Sequence, residues 1–235
     1  VGCTAALEER SMKIAVAMGK ILKAAGVNFG VLGAEEVCCG DPARRMGNEY
    51  LFQMQAMQNI ELMKGYGVRK IITTCPHCFN MLKNEYPQFG GEFEVIHHTE
   101  FILQLLRESR LKLANNIGKK ITYHDSYYLG RYNDIYEEPR EILRAIPGIE
   151  MREMEKRREK AFCCGGGGGH MWIEESIGAR INEMRTEHVM QTGAEAVATA
   201  CPFCLQMFED GIKAKGKEES LKALDLAELV ADAIQ

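Results

Sequence analysis

The sequence predicts an α/β protein made of two pseudo-twofold-related repeats, each a small parallel sheet flanked by helices, with cysteines at the C-terminal ends of strands. Three observations carry that expectation. First, cysteines recur in register: Cys38-Cys39 returns 125 residues later as Cys163-Cys164, and Cys75 and Cys78 return 126 residues later as Cys201 and Cys204. Second, their surroundings recur, since "GVRKIITTCPHCFNML" aligns with "GAEAVATACPFCLQMF" and "VIHHTEFILQLL" with "ALDLAELVADAI". Self-similarity at a fixed spacing marks two copies of one supersecondary unit. Third, runs of strand period alternate with runs of helix period, the pattern of parallel sheets covered on both faces. The boundary falls near the "LANNIGKK" segment, giving units 1–114 and 115–235.

In chain order, residues 8–25 carry Met12, Ala15, Val16, Met18, Ile21 and Leu22 at helical spacing and stop at Gly26. "VNFGVLG" then reads as a strand leading into "CCG", residues 46–64 as a helix, 69–74 as a strand and 77–86 as a helix. Pro76 opens that last helix, because its fixed φ suits a first turn whose N–H has no partner. In the second unit "KITYHD" reads as a strand, about 139–145 as a helix, "IEMREM" as a strand, about 171–191 as a helix and "AEAVATA" as a strand, followed by a helix opened by Pro202. Trp172 and the methionines Met54, Met57, Met63, Met184 and Met190 lie at helical spacing and read as core or interface packing. Each cysteine group stands where a strand ends and a helix begins, the edge at which open α/β sheets collect ligands. The thiols of one unit are therefore expected to meet.

The 235 residues are 46% hydrophobic and 26% charged, with a net charge of -4, so the chain has the means to fold and lacks the positive field that nucleic acid requires. No uninterrupted apolar run approaches the roughly 18 to 20 residues of a membrane span. The opening "VGCTAALEERSMK" lacks the basic start and apolar core of a secretory signal. The expected location is the cytoplasm, with any place at the inner face of the membrane owed to a partner or to an upstream segment; the start at Val1 reads as a piece cut from a longer polypeptide. Without an export signal, the nine cysteines read as metal ligands and not as disulfides. Adjacent cysteines bridge each other poorly, whereas thiolates at a two-residue interval converge on one metal.

A lone Cys3, then Cys38-Cys39-Gly40 about 35 residues on, then Cys75-Pro-x-Cys78, given twice with Cys163-Cys164-Gly165 and Cys201-Pro-x-Cys204, resembles the tandem cysteine-rich CCG-domain family. That family includes the catalytic subunit of heterodisulfide reductase, the iron-sulfur subunits of glycolate, lactate and glycerol-3-phosphate oxidation systems, and iron-sulfur proteins linked to electron-transfer flavoprotein. The resemblance implies that each complete five-cysteine set binds a non-cubane four-iron four-sulfur cluster. Unit one is complete with Cys3, Cys38, Cys39, Cys75 and Cys78. Unit two has Cys163, Cys164, Cys201 and Cys204, and in "HDSYYLGR" Ser126 and Tyr127 stand where the family reads proline and cysteine. Its site is expected to hold a second iron-sulfur cluster, or zinc, or nothing, since four thiolates satisfy zinc. His124 and Asp125 stand beside the missing ligand, and either could contact a cluster or simply satisfy backbone.

Gly40, Gly165, Gly166 and Gly167 are expected to wrap the cofactor, because glycine tolerates positive φ and a close approach. Their amides would point at sulfur, which raises reduction potential. A phosphate-cradling reading of the run 165–169 lacks the Lys-Ser/Thr ending. Arg131 and His170 are candidates for an acidic substrate, for proton transfer, or for structural hydrogen bonds.

Three functions compete. The favoured one is an iron-sulfur oxidoreductase component relaying single electrons between a flavin-bearing partner and a quinone or disulfide. The others are a heterodisulfide-reductase-like thiol-disulfide enzyme and a zinc-stapled interaction module. No flavin or nicotinamide fingerprint is visible, so the implied partners are redox proteins: a flavoprotein, a ferredoxin-like domain or a membrane subunit.

Overall fold

A computed structural model describes residues 1–173 and 177–235. The first unit runs α1 (Cys3–Leu7), α2 (Glu9–Ala24), α3 (Asp41–Arg45), α4 (Glu49–Gly65), β1 (Lys70–Thr73), α5 (Pro76–Asn80), β2 (Glu94–His97) and α6 (His98–Arg107). The second runs β3 (Lys119–Tyr123), α7 (Gly130–Asn133), α8 (Glu137–Ala145), β4 (Ile149–Met151), α9 (Ile181–Met190), β5 (Ala196–Thr199), α10 (Pro202–Ala214), β6 (Lys222–Asp225) and α11 (Leu226–Ala233). Two parallel sheets result, β1-β2 and β4-β3-β5-β6. The repeat is visible in register and in caps. Lys70 lies opposite Glu94 in one sheet, and Ala196 opposite Lys222 in the other. His97 and Asp225, each ending its strand, close the same capping box with Glu100 and Glu228. That box satisfies orphan amide donors at the start of α6 and α11.

The predicted strand at "VNFGVLG" does not form. A strand needs a neighbour to receive its hydrogen bonds. In unit two β4 has β3 beside it, Lys119 opposite Ile149, whereas among the described residues unit one has no counterpart of β3. A cavity of about 720 Å³, lined by Leu22, Val27, Phe29, Ile71, Ile72 and Phe101 among others, lies there instead.

The helix expected over 46–64 forms as α4 and begins three residues late, because Gly47 turns at φ 86° and Asn48 caps α4 by accepting from the Leu51 amide. The helix expected over about 171–191 forms only as α9. Gly168 and Gly169 take positive φ inside a 3-10 stretch, Gly167–Trp172, and Arg180 is extended. Residues 174–176 of that expected helix lie outside the described residues. On α2 the buried face holds Ile14, Ala17, Met18 and Ile21, while Met12 and Val16 face outward. Among the methionines Met63 is core, whereas Met54, Met57, Met184 and Met190 are exposed, as is Trp172.

The units exchange helices reciprocally. The first long helix of unit one, α2, packs on the last helix of unit two, α11, and α8 packs on α6. Their apolar faces merge into one core that includes Ile14, Ile21, Ile102, Leu105, Ile142, Leu143 and Val230. Burying each such side chain contributes about 1.5–3 kcal/mol. Arg10 clamps the exchange from the rim, 2.8 Å from Glu228 and 2.9 Å from Glu209. Among the described residues no helix is long and apolar enough to cross a membrane.

Candidate metal centre

Each unit presents its thiols by the same two devices. Cys75 and Cys201 follow β1 and β5 by two residues and cap α5 and α10, with Pro76 and Pro202 in the first turn. Cys78 and Cys204 come one turn later on the same helix face, where an i, i+3 pair meets. The adjacent pairs sit on tight turns at Gly40, φ 86°, and Gly165, φ 91°. A β-carbon at Gly40 would come within 2.6 Å of Phe52, so a side chain is excluded by space as well as by φ. The Gly40 amide donates to Cys38 Sγ at 3.5 Å, and the Gly165 amide to Cys163 Sγ at 3.3 Å. Gly166 and Gly167 carry no such bond to sulfur; β-carbons there would meet Met207 and the Tyr127 phenol.

The two sets of thiols adjoin. Cys39, Cys75 and Cys78 of the first unit and Cys164, Cys201 and Cys204 of the second belong to one buried cluster. Cys3 and Cys38 are 3.8 Å apart, and Cys164 and Cys204 3.2 Å, with none in a disulfide. The crossing point is Cys75 beside Cys201, and His77 sits over it with Nδ1 3.8 Å from one sulfur and 3.9 Å from the other. The imidazole is buried against Phe203 and Tyr128. His77 was not legible as a site residue: it fills the variable position of "CPHC", and only its placement inside a thiol pair on a helix's first turn marks it out.

Crowding shifts these thiols in both directions, Cys164 being held low by the bonds from Cys163 and Cys204 while most of the others are pushed up. In Cys3 the bond to Cys38 and burial push the thiol up. Cys38 rises to about 11, the bond from Cys3 holding it down less than Cys39 and burial push it up. Clustered soft sulfur donors, mostly buried and further supplied with amide N–H groups, fit a thiophilic metal or an iron-sulfur cluster, whose positive charge lets neighbouring sulfurs ionise together.

Around the second set the expected candidates separate. Tyr127, where the resemblance leads one to expect a fifth cysteine, offers a different chemistry: burial and the bond to Tyr128 push the phenol well above its ordinary value. Its ring lies over Gly167 and beside Tyr128, 4.2 Å between centroids. Tyr127→Cys is accordingly expected to raise iron per chain or change the spectrum; unchanged iron and an unchanged spectrum would show that this position is not a ligand position. Asp125 is engaged elsewhere, accepting from both terminal nitrogens of Arg140 at 2.7 and 2.9 Å and from the Arg158 amide at 2.8 Å. Arg131 donates to the Ala161 carbonyl. A ring nitrogen of His124 and the sulfurs of Cys164 and Cys204 lie within 4.8 Å of one another. Behind His124 stands Arg185, which sequence reading missed because a charged residue on a short mixed helix reads as a solvated face; its Nε donates to His124 Nδ1 at 3.2 Å.

A family model described as "Cysteine-rich domain", CCG, matches residues 1–83 and 121–209. The chain is 47% identical over 241 residues to the "EtfAB:quinone oxidoreductase" of Syntrophomonas wolfei, covering all of this chain and 34% of that protein. It is 47% identical over 234 residues to the Bacillus subtilis protein named "Probable iron-sulfur-binding oxidoreductase FadF", covering 33% of it. It is 34% identical over 239 residues to a subunit of the "Dihydromethanophenazine:CoB--CoM heterodisulfide reductase" of Methanosarcina barkeri, covering 99% of this chain and 58% of that one. The chain thus spans about a third of the first two relatives, which, like the third, are named as oxidoreductases or their subunits. An iron-sulfur cluster is the cofactor class that these relatives and the sulfur donors jointly support. With the doubled cysteine pattern, the paired parallel sheets and the match across both halves, the chain belongs to the cysteine-rich CCG-domain family.

Proposed function

We propose that the chain is the electron-relaying part of a larger iron-sulfur oxidoreductase. In this reading Cys3, Cys38, Cys39, Cys75 and Cys78 of unit 1–114 hold a non-cubane four-iron four-sulfur cluster. Cys163, Cys164, Cys201 and Cys204 of unit 115–235 hold a second metal centre. Bound iron-sulfur clusters take up and release electrons one at a time. Oxidation that delivers electrons in pairs calls for a flavin, which would come from a partner, with a quinone or a disulfide as acceptor and the cytoplasmic side of the membrane as the setting. The observation that carries the reading is that the two sets of thiols adjoin in one buried cluster, Cys75 and Cys201 lying 3.8 and 3.9 Å from His77 Nδ1.

The test is made on anaerobically purified chain, first for iron, zinc and acid-labile sulfide. The chain is then reduced with dithionite or a flavoprotein donor and offered quinone analogues and disulfides in turn. Reoxidation that depends on a protein donor is the expected result. Rapid catalytic disulfide reduction by the isolated chain would replace the relay with a thiol-disulfide enzyme, and zinc without iron would replace both with a zinc-stapled module.

A further inference from the structure

Arg185 is among the largest fully buried side chains of the protein. Its Nε donates to His124 Nδ1 and its Nη1 to the Lys156 carbonyl at 2.9 Å, while Nη2 has no partner. Among the described residues it forms no ion pair, Asp125 being already taken by Arg140. Burial lowers its pKa to about 10, which leaves it cationic at neutral pH. A buried cation without a counter-charge is expensive, and Arg185 stands behind His124, a ring nitrogen of which lies within 4.8 Å of the Cys164 and Cys204 sulfurs, the groups that become negative on binding a metal centre. The guanidinium also fixes His124. It can only donate, so Nδ1 must accept, and the neutral ring then carries its proton on Nε2. His124 is thereby a hydrogen-bond donor and not a metal ligand through Nδ1.

Unit one lacks this charge. With Gly67 aligned on Gly193, the position of Arg185 is occupied by Asn59, a neutral amide bonded to the Val37 and Cys38 carbonyls and to the Tyr86 hydroxyl. The first site therefore combines five sulfurs with a neutral neighbour, the second four sulfurs with a buried cation. Fewer thiolates and an added positive charge both stabilise an incoming electron.

We infer that Arg185, together with the His124 it orients, sets the second cysteine site at a higher reduction potential than the first, so that electrons within the chain settle at Cys163, Cys164, Cys201 and Cys204. Arg185 acts here as a positioning and charge-setting residue. The inference rests on the proposal that both sets hold redox-active iron-sulfur centres.

The experiment is a potentiometric titration of the anaerobic chain followed by low-temperature spin resonance, with the second centre assigned by its loss in Cys204→Ser. The higher midpoint is expected to belong to the second site. Arg185→Met is expected to lower that midpoint by at least a tenfold change in electron affinity, about 59 mV for a one-electron couple, leaving the first unchanged. Arg185→Lys, which keeps the charge, is expected to retain most of it. Should Arg185→Met fail to fold, the order of the two wild-type midpoints decides, and a second site at or below the first overturns the inference. A midpoint unmoved in Arg185→Met, or equal movement of both, also overturns it, as does zinc at the second site with iron at the first. Absence of iron from both sites overturns the proposed function itself.

Discussion

Cys39→Ser is expected to remove the metal centre of the first unit, with iron per chain falling by that centre's content, the visible absorption bleaching and its low-temperature spin resonance disappearing. Cys39 is the middle of its set: it interacts with Cys38 on one side and Cys78 on the other, is buried, and has its carbonyl held by the Tyr86 hydroxyl at 3.1 Å. Serine is nearly isosteric, so the fold around it is kept, but its hydroxyl is a harder and far less acidic donor than a thiol. Cys164→Ser serves as the matched change in the second unit. An unaltered spectrum in Cys39→Ser would rule out the five-sulfur assignment.

Arg140→Met is expected to cost about 3–5 kcal/mol of stability, because it strands a buried carboxylate. Arg140 is fully buried on α8. It bonds both oxygens of Asp125, both of Glu153 at 2.7 and 3.1 Å, and the Tyr136 carbonyl at 2.8 Å. Burial alone would raise the Asp125 carboxyl, but the Arg140 bonds outweigh it and hold the group below its ordinary value of 3.8. A carboxyl lowered on folding stabilises the native state fully above its unfolded pKa and loses that contribution as pH falls through the folded one. The difference between wild type and Arg140→Met should therefore be largest near neutral pH and shrink on acidification. Denaturant titrations at several pH values from neutrality downward check both magnitude and slope; a difference independent of pH would mean that packing, and not the ion pair, carries the cost.

What the sequence made legible was whatever is decided locally or by chemistry that repeats. The β-branched run before Cys75, the proline after it and the doubled Cys-Cys-Gly turns each state their own conformation, and their recurrence pairs the units. What it hid depends on partners remote in the chain. Residues 27–33 have strand composition, yet a strand exists only beside another. Gly47 and Gly178 delayed helices that apolar spacing had suggested, because positive φ overrides periodicity. Arg185 and His77 could not be read at all: α9 is a mixed, weakly patterned helix, and one turn of α5 has no pattern, so the burial of Arg185 follows from His124 and Lys156, distant in the chain, and that of His77 from Tyr128 and Phe203 of the other unit.

The exchange of helices sets a timetable for the nascent chain. Arg10 and Glu228 are separated by 218 positions, and α2 has its main partner from the second unit only once α11 has been made. At about 5–20 residues per second on the ribosome, the apolar stripe of Ile14, Met18 and Ile21 waits roughly 10–40 s for cover. Contacts this distant in sequence also slow the final closure. Newly made chain is thus exposed to aggregation early, and severing it near residue 114 would give two fragments, each with a helix whose apolar face has no mate.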